Sequence, residues 1–286
     1  VTINPEENDA YHRLEYELLS NELALVWFET IQVEGNAIKP LPEKYIKLIQ
    51  HHKQAGGYLV GIDETQTNFS TGSLLNSEGN NSYADMIAIS SALCDSLFPA
   101  GVVLTNDVVI EQAKQVNPSK LDSLIHRNRC QIVAHTALNA LNGIYKNNLL
   151  AQAIDKGKYL KQALQNLSYQ YPLISDIRGE GLLLAIEFDV SDYHTFIQQS
   201  FGYLLWGTML RDPIGGVSLV VCPIHNRSLR ILPPLTISHE EIDLIIDNLK
   251  RRLDSGVEGI IHDCAKHAMN NQDEKMANFL TRLINK

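Results

Sequence analysis

A chain of 286 residues, 44% of them hydrophobic and 20% charged, can bury a sizeable core, which argues against disorder except at the ends and for one large domain or two of ordinary size. A formal charge of -9 argues against nucleic acid or an anionic membrane as the main partner, because both recruit clustered Lys and Arg; a small metabolite or another protein is the expectation. The cysteines, Cys94, Cys130, Cys222 and Cys264, are too few and too far apart for a disulfide scaffold, no stretch approaches the roughly 20 apolar residues of a bilayer span, and no basic-then-apolar leader opens the chain, so a cytoplasmic location is expected. The opening Val, where Met would stand, suggests a processed or excised piece.

Ala10, Leu14, Leu18 and Leu19 recur at helical spacing over 5–19, and the apolar run 23–28 then suits a buried strand. The step repeats: 42–54 reads as an amphipathic helix, the Gly56-Gly57 pair stops it, and 58–62 follows as a buried strand ending at Asp63. Short strands are predicted at 86–89 and 101–104, with a polar loop at 76–82. Beyond Val108 the pattern turns helical, with long helices at 130–146 and 150–169 that Pro172 ends. A strand at 182–188, a helix at 193–205, strands at 217–221 and 229–232 and a helix at 240–253 then describe an α+β domain, and an amphipathic segment over 257–284 looks appended.

Strands alternating with helices predict a mainly parallel sheet wrapped by helices on both faces, and in such α/β sheets ligands bind beyond the carboxyl ends of the strands. Glu29, Asp63 and Ser91 each stand at or just past such an end. The expected division is a partial large domain at 1–170, a small α+β domain at 171–254 and a helical tail at 255–286. Cys222-x-x-His225 and His262-x-Cys264-x-x-His267 contain metal-ligand types but lack a second paired spacing, and His126 with Cys130 reads as a satisfied or exposed pair, so no metal is expected. No G-x-S-x-G, Walker or H-E-x-x-H string occurs, which removes the common hydrolase, nucleotide and zinc-protease readings.

Four strings, in order, carry a resemblance: Phe28-Glu29-Thr30-Ile31-Gln32-Val33-Glu34-Gly35, Gly61-Ile62-Asp63-Glu64-Thr65-Gln66-Thr67, Ile177-Arg178-Gly179-Glu180-Gly181-Leu182 and Leu229-Arg230-Ile231-Leu232-Pro233-Pro234-Leu235. They are similar to E-P-I-Q-G-E-G, D-E-V-Q-T-G, R-G-x-G-L and R-x-x-P-P-L of the class III, ornithine and omega-amino-acid, branch of pyridoxal phosphate aminotransferases, over about 14–253. The resemblance implies a fold-type I aminotransferase-like α/β architecture and a dimer with sites at its interface. It also implies that Asp63 would pair with the pyridine nitrogen of pyridoxal phosphate, that Gln66 would reach its phenolic oxygen, and that Glu34 and Arg230 would form the ion pair gating substrate carboxylates. Read apart from the string, Asp63 suits a helix N-cap and the Glu34 and Arg230 match an ordinary surface ion pair.

The pattern also departs from the family. Its Schiff-base lysine, at the end of P-D-I-x-x-x-x-K, falls on Ser91, and neither Ser90 nor Ala92 restores an amine. A hydroxyl cannot form an imine and is too weak an acid for the proton shift that follows. Asn68 replaces a glycine, Arg129 stands where a threonine reaches the cofactor phosphate from across the dimer, and nothing before Leu23 resembles the family's phosphate-cradling S-G-T/S-E-A turn. The first expectation is therefore a cofactor-deficient module for binding or assembly, with Asp63, Gln66 and Arg129 as vestiges of a cofactor site and pyridoxal phosphate not bound covalently. Beside it stand a working transaminase completed by another chain or segment, and a homodimeric or paired partner that steadies an active relative.

Overall fold

The computed structural model describes residues 1–79, 82–94, 96–127, 129–222 and 225–284, with Ser91 described in its backbone alone. The predicted loop at 76–82, the 126–129 stretch and the Cys222–His225 spacing therefore fall partly outside the described residues. The chain divides into two compact units, residues 1–32 with 40–150, and residues 33–39 with 151–286.

The first unit opens with α1 (Ala10–Leu19) and β1 (Leu25–Phe28), and after the two-residue strands β2 (Ile31–Gln32) and β3 (Lys39–Pro40) continues through α2 (Glu43–Gly56) and β4 (Leu59–Asp63). The one-turn helix α3 (Asn76–Gly79), β5 (Met86–Ile89), a 3-10 turn (Ser91–Cys94), β6 (Val102–Thr105) and helices α4 (Asp107–Val116), α5 (Pro118–Arg127) and α6 (Gln131–Lys146) complete it. Gly57 ends α2 in the left-handed region at φ 66, a conformation that costs glycine little. The sheet order is β1-β4-β5-β6, with β1, β4 and β5 parallel and β6 antiparallel to β5.

Val60 and Ile62 of β4 are fully buried with Leu18 of α1 and Leu48, Ile49 and Tyr58, so one face of the sheet holds this unit's core. The Tyr58 hydroxyl donates to the Ile49 carbonyl at 2.6 Å, and burial pushes the phenol up to about 12. The alternate residues point the other way. Leu25, Trp27 and Val103 there remain 40%, 45% and 61% exposed, so helices wrap both faces less completely than alternation predicts. Trp27 lies across the register from Gly61, and a Cβ on that glycine would meet the indole at 2.2 Å.

The second unit contains α7 (Leu149–Gln170), whose first residues lie before the dividing point, β7 (Ile174–Glu180), β8 (Leu183–Phe188), α8 (Thr195–Leu210), β9 (Val220–Val221), β10 (Ser228–Ile231), α9 (His239–Asp254), α10 (Gly256–Asn270) and α11 (Glu274–Ile284). Its sheet is antiparallel, in the order β7-β8-β10-β9. Leu183, Leu184, Ala185 and Ile186 of β8 are fully buried, so this strand has protein on both faces. Ser238 begins α9 with a reciprocal capping box to Glu241.

Two boundaries differ from the expected division. The units part at 150/151 rather than 170/171, because Ala153, Leu160, Leu164 and Leu167 of α7 pack into the second unit's core. The tail after 254 is part of that same core, through Val257, Ile260, Ile261, Ala265 and Leu280. Among the described residues, no helix is long and apolar enough to cross a membrane.

Candidate functional site

The parallel strands β1 and β4 end side by side, and their carboxyl ends bring Glu29 and Asp63 to one cleft of about 410 Å3 in the first unit. Trp27, Phe28, Leu23 and Leu25 give it apolar walls, and Glu17 adds a third carboxylate to the lining. Asp63 is half-buried, and its Oδ1 accepts from the Thr65 amide at 2.9 Å and the Thr65 hydroxyl at 2.6 Å. It closes a turn rather than capping a helix, since residues 65–73 form turns and bends and α3 begins only at Asn76. The Thr65 carbonyl in turn accepts from Ser90 Oγ at 2.6 Å. A chain of hydrogen bonds thus ties Asp63 to the residue immediately before Ser91, the position from which the 3-10 turn starts.

The loop after β4 is organised around Glu64. This carboxylate is fully buried and accepts from Thr67 Oγ1 at 2.6 Å and from the amides of Asn76 and Ser77 at 2.9 and 2.7 Å. Thr30 joins the same group by donating to Asn76 Oδ1 at 2.7 Å. Gln66 lies half-buried in this loop. Asn68 is 4% exposed, and neither atom of its amide has a protein partner among the described residues. Arg129 is exposed between α5 and α6 and is not among the residues that line the cleft.

Glu34 and Arg230 belong to the second unit, where Arg230 Nη1 donates to Glu34 Oε1 at 2.6 Å. The arginine side chain is 12% exposed and the glutamate 46%, so the cation is sheltered and its partner faces water. Arg230 also lines a cleft of about 340 Å3 with Gly216–Val220, Pro233, Pro234 and Glu241. Three further contacts hold the segment around Glu34. The Cys222 thiol donates to the Glu34 carbonyl at 3.5 Å, Ile38 N to Val33 O at 3.3 Å, and Arg178 Nε to Ala37 O at 2.8 Å. Arg178 was legible in the sequence as part of a string but not as a clamp; Thr65, two residues after Asp63, was the legible sign of the turn it closes.

The glycines of the third string have steric reasons. Gly179 sits at φ 116, where a Cβ would meet the Leu183 carbonyl oxygen at 2.0 Å. Gly181 sits at φ 54 with its backbone against Gly157, where an added Cβ would lie 2.1 Å from the Gly181 carbonyl oxygen.

The family model for Aminotransferase class-III matches residues 3–253. This chain belongs to the class III aminotransferase family. As a class III aminotransferase-family chain, it is similar in fold to the ornithine aminotransferase of Toxoplasma gondii, with TM-score 0.72 and 22% identity over 89% of this chain and 56% of that one. It likewise resembles an N-acetylornithine aminotransferase from Stenotrophomonas maltophilia K279a, with TM-score 0.69 and 21% identity over 86% of this chain and 60% of that one. Ornithine delta-aminotransferase from Plasmodium falciparum gives TM-score 0.68 and 24% identity over 87% and 62%. The family member described here thus spans between 56% and 62% of the length of these solved relatives.

Proposed function

We propose that this class III family member does not carry out transamination, and that it serves as a binding, structural or assembly module within a larger polypeptide or a complex. The observation that carries this reading is Ser91, two positions past the end of β5. The resemblance places the imine-forming lysine at Ser91, and the sequence contains no lysine between Lys53 and Lys114. Those two amines are engaged elsewhere, Lys53 with Asp85 at 3.1 Å and Lys114 with Glu111 at 2.6 Å. Among the described residues, no lysine lines the cleft at Asp63. The residues therefore do not fit pyridoxal phosphate as a covalently held group, although Asp63 at a strand end has the charge and place to face a pyridinium nitrogen.

What survives supports binding rather than turnover. The ion pair of Glu34 with the sheltered Arg230 keeps a guanidinium, whose planar fork matches carboxylates, beside an open cleft. The module pairs with a second copy, a related chain or the rest of a larger protein, in keeping with the exposed apolar residues Leu25, Trp27 and Val103. Among the described residues no two cysteines form a disulfide, which suits a reducing cytoplasm.

Absorption spectroscopy tests the reading. Purified protein mixed with pyridoxal phosphate should develop no imine band approaching one equivalent per chain, and Ser91→Lys should create one without turnover of an amino donor. An imine band of one equivalent in the unaltered protein, bleached by borohydride, would overturn the reading.

A further inference from the structure

Glu34 is presented to Arg230 by an unusual piece of backbone. Ala37 and Ile38, both fully buried, occupy the left-handed region in succession at φ 51 and φ 62. Neither is glycine, and Ile38 is β-branched, so the turn is strained and has a standing tendency to unwind. Something must oppose that tendency, and the Ala37 carbonyl shows what does. It accepts from Arg178 Nε at 2.8 Å, while Nη1 of the same guanidinium bonds Asp176 Oδ2 and Glu187 Oε2, each at 2.7 Å. Glu187 is itself braced by Arg227 at 3.0 Å. The Arg178 side chain is only 13% exposed, so its fork is fixed on β7 and β8 and offers one directed N–H to the turn.

We propose that Arg178 is a positioning residue: it latches the strained turn at 36–38 and thereby keeps Glu34 seated on Arg230, so that a carboxylate ligand reaches Arg230 only when the latch yields. This rests on the reading of Arg230 as a carboxylate-binding group, and it adds the element that sets whether the group is available. The turn has two arrangements, latched and relaxed, and Arg178 biases their populations. Asp176, Glu187 and Arg227 steady the latch, because they hold the guanidinium in the orientation that Ala37 requires.

Arginine labelling by phenylglyoxal, read at each arginine by peptide mass spectrometry, measures that availability in the full chain. Arg252, with a side chain 15% exposed and bound to Asp263 at 3.2 Å, reports on general loosening of the same unit. In Arg178→Gln, labelling of Arg230 should rise about tenfold while Arg252 keeps its unaltered rate. Arg178→Lys keeps a charge for Asp176 and Glu187 but loses the Nε–H aimed at Ala37, so it should behave alike, and it decides the matter if Arg178→Gln fails to fold. Adding Ala37→Gly to either variant should return Arg230 toward its unaltered rate, because glycine adopts this backbone without strain. Unchanged labelling of Arg230 in the folded variants, a rise shared by Arg252, or a rise that Ala37→Gly leaves in place would each overturn the latch. The underlying reading is separable: Glu34→Ala should bind glutarate, used as a probe dicarboxylate in calorimetry, more tightly than the unaltered chain. If it binds none, that reading falls, while the labelling of Arg178→Gln still decides whether the turn is latched.

Discussion

At the scale of single residues, buried charge is the clearest test of the fold. The Asp212 side chain is fully buried and takes Arg251 Nε at 3.1 Å, Arg252, and the amides of Ile214 and Gly215 at 2.9 and 3.2 Å. Burial pushes its carboxyl up, but the bonds from Arg251, Ile214, Arg252 and Gly215 outweigh that and hold it well below the ordinary 3.8. A carboxylate whose folded value is depressed adds stability that is present above the unfolded value and is lost as pH falls through the folded one. Asp212 therefore contributes fully at neutral pH, and its contribution declines below about pH 4. Asp212→Asn should cost about 3 kcal/mol at pH 7 in urea melts, and the difference from the unaltered chain should shrink in acid. Asn68 makes the opposite prediction. Its buried amide lacks a protein partner among the described residues, so Asn68→Ala should leave the urea midpoint unchanged or raise it; a loss of about 2 kcal/mol would show that the amide is bonded after all. The strand-end place of Asp63 and the pairing of Glu34 with Arg230 were readable in the sequence, because short strings carried them; Gln66 lies in the loop after β4 and is not among the residues that line the cleft. Arg178 as a clamp was not readable, since its partner Ala37 lies 141 positions away and is a backbone carbonyl that could belong to any residue.

At the scale of elements, glycines and tail helices show what the second unit depends on. Gly157 faces the Gly181 backbone so closely that Gly157→Ala forces α7 off the hairpin of β7 and β8, and a loss of about 2–3 kcal/mol in the second unit is expected from denaturant unfolding. Ile260 of α10 is fully buried in the same core, so Ile260→Ala should cost about 3 kcal/mol, a result that would be near zero if the tail were merely appended. Elements with strong apolar periodicity were legible: α2, β4, β5 and α6 fall within about two residues of their predicted limits, because burial on one face or both writes itself into the order of residues. β7 was not legible as a strand. Asp176, Arg178 and Glu180 interrupt any apolar run there, as suits an edge strand whose polar groups bond along it rather than into a core. The tail's place in the core was hidden for a related reason, since an amphipathic stripe declares that it packs but not on what.

At the scale of the whole molecule, the chain has the fold of the class III aminotransferase family over most of its own length, yet spans little more than half of its solved relatives. On the proposed reading, family membership and chemistry come apart just past β5, where Ser90 and Ser91 follow Ile89 and the nearest lysines in sequence are engaged with Asp85 and Glu111. Borohydride reduction of the protein after incubation with stoichiometric pyridoxal phosphate, followed by peptide mass spectrometry, addresses that position directly. Only scattered, substoichiometric labelling of surface lysines is expected; one lysine carrying a reduced phosphopyridoxyl group at full occupancy would contradict the loss of transamination.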